Sequence, residues 1–157
     1  MCSSDLDRGA LIAQTEFPSK NFGATTRITV VHTKNGGRQI LVPVPPDLVS
    51  LELLNGELIE KDRFPADPPQ DYCVDDFNGD GIDEIYSIYN SKVIAHQGNK
   101  TLWGPLTLPS GAWRIDSQPT RSNTLVLHSL LGSAVLGVDP KNGSFVWRGQ
   151  GDRKSVV

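Results

Sequence analysis

A chain of 157 residues is long enough for one domain with a real core, and nothing in that length requires two. Its 15 basic and 18 acidic side chains leave a net charge of -3, with no Lys/Arg block to suggest nucleic acid or an anionic membrane as a partner. Fifteen glycines, eleven prolines and a single Met favour short strands joined by turns over long helices, so an all-β protein is expected.

The two ends share an oddity, because "MCSSDL" and "DRKSVV" can both be written from one short DNA word. If Asp152 to Ser155 is GAT CGG AAG AGC, its reverse complement, preceded by one T and read in the next frame, gives Cys2, Ser3, Ser4, Asp5 and the first base of a Leu codon. The word matches the arms of a common sequencing adapter. Residues 1 to 6 and 152 to 157 are therefore expected to be translated adapter, with the true gene running off both ends. Without Cys2, Cys73 stands alone, so neither a disulfide framework nor a Cys-based zinc site can be argued. In a strand it reads as a small buried hydrophobe. Residues 7 to 26 show no clean period and read as coil or the tail of a lost repeat.

From Arg27 onward the pattern is one of strands. "RITVVHT" and "RQILVPV" flank "KNGG", a hairpin signal, while prolines 43, 45 and 46 mark an edge or a strand end. Next comes "VSLELLNGELIEK" from residue 49, an apolar strand, a tight Gly turn and a second strand. "SKVIAHQGNKTLWGP" from residue 91 and "SAVLGVDPKNGSFVWRG" from residue 133 repeat that order. Their turn glycines, Gly56, Gly98 and Gly143, recur at about the 40 to 50 residues that one four-stranded propeller blade occupies.

The second unit reads as "DYCV", "EIYSIY", "KVIAHQ" and "KTLW", with "NS" and "GN" as two-residue hairpin turns. The third reads as "AWRI", "TLVLHSL", "AVLGVD" and "SFVW". Its most apolar run, "TLVLHSLLGSAVLGV", is broken by His128, Ser129, Gly132 and Ser133 and is too short to span a bilayer. The expected architecture is a partial β-propeller of about three four-stranded antiparallel blades, near residues 27 to 62, 70 to 106 and 112 to 150. Trp103 and Trp147 occupy equivalent places and are expected to wedge between neighbouring blades. An unclosed set would leave two unpaired edge strands exposed, which predicts poor solubility or self-association.

Between the first two strands of the second unit lies "DFNGDGIDE", residues 76 to 84. Asp76, Asn78, Asp80, the carbonyl of Ile82 and Glu84 fall at its first, third, fifth, seventh and ninth positions. Oxygen ligands on alternating residues converge when backbone wraps a hard cation, and Gly81 allows the sharp bend after the third. Calcium suits that set better than magnesium, and with no His or Cys in the loop zinc and copper are disfavoured. An EF-hand opens the same way but needs a carboxylate at the twelfth position and flanking helices. Ser87 stands there, inside a strand pattern. An acidic turn that is merely solvated is the alternative.

"DFNGDGIDEI" resembles the calcium loop of FG-GAP/VCBS-type β-propeller repeats, the class also seen in integrin α-subunits, where such loops join the first two strands of a blade. That resemblance implies Ca2+ ligation by Asp76, Asn78, Asp80, Ile82 and Glu84, the last standing where Asp is commoner. "GVDPKNGSFVW" is similar to the quinoprotein repeat, Asp139, Gly143 and Trp147 matching its turn and docking Trp. The function implied is a non-catalytic, calcium-binding scaffold for a protein or glycan at one face, secreted or periplasmic, where calcium is abundant. The alternatives are part of a propeller enzyme, a quinone-dependent dehydrogenase or polysaccharide lyase with its catalytic residues elsewhere, and a sensor or anchoring domain. His32, His96 and His128 lie far apart in sequence and read as strand residues.

Overall fold

The computed structural model describes residues 27–65, 70–116, 123–132 and 134–150. The segments read as adapter, and residues 7 to 26, lie outside them. The described chain is all-β, built as three four-stranded antiparallel sheets, each made of four consecutive strands. The first holds β1 (Thr29–His32), β2 (Arg38–Val44), β3 (Asp47–Leu54) and β4 (Glu57–Pro65), with a short 3-10 turn at Lys34–Gly36. The middle sheet holds β5 (Asp71–Asp75), β6 (Glu84–Tyr89), β7 (Lys92–Gln97) and β8 (Lys100–Thr107). The third holds β9 (Trp113–Asp116), β10 (Leu125–Ser129), β11 (Ala134–Val138) and β12 (Phe145–Gln150).

These boundaries follow from turn chemistry. Asn90 and Ser91 both take positive φ, 44° and 56°, which gives the tight β6–β7 hairpin a twist matching its strands. In every sheet the third and fourth strands pair with a register shift, at Ser50/Leu51, around Ala95 and at Gly137/Val138. Such bulges sharpen the twist of the outer strand. Pro43 lies at the end of β2, opposite Leu48, where a missing N–H costs little.

The middle sheet is packed on both faces, which is why β6 is buried at five successive positions instead of alternating. On one side Tyr72 and Ile85 meet Val31, Leu41, Leu48 and Phe64 of the first sheet. On the other, Cys73, Tyr86, Ala95 and Trp103 meet Trp113, Leu127, Leu136 and Val138 of the third. Each such large apolar side chain contributes about 1.5–3 kcal/mol through burial. Cys73 is the small buried residue its strand position suggested, and burial pushes its thiol pKa up.

A buried carboxylate clasps each sheet joint. At the first, Asp83 accepts from the His32 backbone N–H at 2.7 Å while its own N–H donates to the His32 carbonyl at 3.0 Å. At the second, Asp71 accepts from Ile115 N–H at 2.9 Å and from Tyr72 N–H at 3.0 Å. Asp71→Ala leaves the Ile115 N–H buried without a partner. A loss of about 1–3 kcal/mol is expected in urea unfolding, and no change would mean that water replaces the carboxylate.

The two tryptophans part company. Trp103 sits opposite Ala95, its indole N–H donates to the Pro140 carbonyl at 2.6 Å, and its ring fills the space beside Gly143. It wedges between sheets as expected. Trp147 sits opposite Gly137 in the matching place, yet 41% of it is exposed, because no described sheet lies on that side. The expected burial of Trp147 is corrected accordingly. Among the described residues each sheet keeps its own outer strands, and Val146 and Trp147 of the third sheet are exposed on a face that no described sheet covers.

Candidate metal centre

The loop from Asp76 to Glu84 joins β5 to β6 and folds onto its own carboxylates. Asp76 accepts from the backbone N–H groups of Gly79 (2.7 Å), Asp80 (3.1 Å) and Gly81 (2.9 Å). Asn78 Oδ1 accepts from Asp80 N–H, and Asp80 Oδ1 from Ile82 N–H, each at 2.8 Å. Short acidic side chains that capture amides a few residues on are what bend this chain tightly, and Gly79 and Gly81 supply positive φ of 77° and 82°.

The carboxylates of Asp76, Asp80 and Glu84 each bring one oxygen within 4.8 Å of the others, a cluster that could hold a metal ion. The Ile82 carbonyl lies near it, within reach of the Gln97 amide that also contacts Asp80 and Glu84. The Gln97 amide, from the end of β7, reaches Asp80 Oδ2 at 2.9 Å, Glu84 Oε1 at 3.2 Å and the Ile82 carbonyl at 3.4 Å. One N–H donor group thus marks the point where three oxygens from three residues converge. Asn78 touches the cluster differently. Its amide nitrogen donates to Glu84 and its oxygen is turned to Asp80, so ligation through Asn78 requires that oxygen to be redirected.

The site's electrostatics follow from its mixed exposure. Glu84 is only 2% exposed, and burial raises its pKa first, with the charges of Asp80 and Asp76 adding to the rise and the Phe77 N–H, at 2.8 Å, opposing it. Asp75 is raised for the same leading reason, with Asp83 and Asp76 nearby. Asp80, at the solvent edge, is lowered by the Gln97 hydrogen bond. A cation relieves repulsion where Glu84 must otherwise ionise against burial and two like charges. The donors are all oxygens, which suits a hard cation, not one that seeks thiolate or imidazole.

Sequence reasoning missed Gln97, which a ligand pattern confined to the loop cannot find. The histidines are dispersed. His32 Nδ1 lies 3.0 Å from Asp83, His96 is buried in β7 with its pKa lowered by burial, and His128 lies on β10 near Asp116. Comparison with protein-family models, with curated proteins and with solved structures finds no match. Among the described residues no helix is long and apolar enough to cross a membrane.

Proposed function

We propose that this chain is part of a β-propeller braced by calcium, and that it serves as a non-catalytic scaffold presenting loops to a protein or glycan outside the cytoplasm. The observation that carries this reading is the convergence of Asp76, Asp80, Glu84 and the Ile82 carbonyl in the loop between the first two strands of the middle sheet. Consecutive four-stranded antiparallel sheets packed on one another support reading them as successive blades, and Asp-mediated bonds link β1 to the β5–β6 loop and β5 to β9.

Asp76, Asp80 and Glu84 would hold the ion, with Ile82 through its carbonyl and Asn78 once its amide turns. The ion's contribution is electrostatic, offsetting two of the three carboxylate charges and ordering the loop. A calcium affinity of about 0.1 to 1 mM, the range of extracellular modules, suffices for occupancy where calcium is millimolar. Isothermal titration of the wild type with calcium chloride is expected to show one saturable event that Asp80→Ala lacks. Equal heats from both proteins would end the metal assignment.

A further inference from the structure

The joint between the first and middle sheets is not closed along its whole length. Beside the metal loop it opens into a cleft of about 250 Å³. Val31, Phe64 and Ile85 give it an apolar lining and are themselves buried. Lys34, Gln39 and Asp62 also line it, and their side chains make no hydrogen bond or ion pair among the described residues. Apolar contact with polar groups beside it is the composition of a small-ligand site, here just below the usual size range and so suited to a single small ring.

The chemistry of the lining narrows the ligand. Lys34 can only donate, Asp62 when ionised can only accept, and Gln39 does both. A simple anion would meet Asp62 and Asp83, and a simple cation would meet Lys34. A neutral ring with C–H faces for the apolar lining and hydroxyls that donate and accept satisfies all of them. We infer that the cleft binds a single neutral sugar residue and that the metal loop shapes one wall of it; the second part rests on the calcium reading above. Ile82, whose carbonyl faces the acidic cluster, and Asp83, which clasps His32, both line the cleft. Ordering the loop therefore fixes that wall.

The test is an amide-shift titration of the full chain by NMR, with and without calcium chloride, using the methyl glycosides of glucose, galactose, mannose and N-acetylglucosamine. At least one glycoside is expected to shift the amides of Gln39, Phe64 and Ile85 saturably, at about millimolar affinity. Asp62→Ala and Gln39→Ala should each weaken that binding by about tenfold while leaving calcium heats intact. Asp80→Ala should remove calcium binding and weaken the sugar severalfold. Calcium binding without any glycoside shift at these amides overturns the cleft assignment and spares the metal. Glycoside binding indifferent to calcium and to Asp80→Ala overturns the coupling alone, and shifts caused by zwitterionic glycine but by no glycoside overturn the ligand class.

Discussion

Trp103→Ala is expected to lower the unfolding free energy by about 3–5 kcal/mol, whereas Trp147→Ala, at the matching position one sheet along, should cost about 1 kcal/mol or less. The two residues share a cross-strand setting, an indole opposite a small residue, Ala95 in one case and Gly137 in the other. They differ in what lies beyond. Trp103 is 9% exposed, packs among Tyr86 and the third sheet, and donates to the Pro140 carbonyl, so its removal opens a cavity and leaves that carbonyl with the Tyr86 hydroxyl as its remaining donor. Trp147 already meets solvent, and its loss uncovers Gly137 without opening the core. Gly143→Ala should resemble Trp103→Ala in direction, since a Cβ there would lie 2.5 Å from the indole at a backbone φ of +73°. Urea unfolding of the three variants decides, and similar losses for both tryptophans would mean that Trp147 is covered in solution, by self-association or otherwise.

Glu84→Gln should raise the melting temperature of the cation-free protein at pH 7 by a few degrees and at the same time abolish the stabilisation that calcium gives the wild type. The sign follows from the raised pKa of Glu84. A carboxyl whose folded pKa lies above its unfolded value contributes stability that is complete below the unfolded pKa and is lost as pH rises through the folded one. Glu84, and Asp75 with it, therefore weakens the cation-free fold between mildly acidic and neutral pH. Asp80, with its lowered pKa, acts in the opposite sense at more acidic pH. Glutamine stays neutral, its one oxygen keeps the Asn78 and Gln97 donors while the Phe77 N–H loses its acceptor, and the difference between variant and wild type should close as acid protonates Glu84. On the calcium proposal, the wild type should gain about 2.7 kcal/mol with calcium at a hundred times its dissociation constant, and the variant little. Thermal melts at two pH values, each with calcium and with chelator, test both halves. A variant less stable than wild type in chelator at pH 7 would show that the carboxylate's hydrogen bonds outweigh the cost of burying its charge.

The strands were legible because their signals are local. "EIYSIY" and "KVIAHQ" became β6 and β7 without a shift of boundary, since Asn90 and Ser91 between them accept the positive φ of a tight turn. The acidic cluster was legible for the same reason: Asp76, Asp80 and Glu84 lie within nine consecutive residues, and Gly79 and Gly81 permit the bend that gathers them. Gln97 was not, because it reaches the loop from another strand of the sheet.

By itself the sequence determined an all-β chain of three four-stranded units, the turns that separate their strands, and a loop whose carboxylates must crowd together. Those outcomes depend on backbone preferences and on neighbours a few residues away. Only the tertiary structure decided that Asp71 and Asp83 clasp the joints between sheets, across 44 and 51 residues of chain, and that Trp103 is buried while Trp147 is not. Burial is set by what packs on a face, and that neighbour is written elsewhere in the chain. Two tryptophans in like local settings therefore have unlike fates, which no local pattern can distinguish.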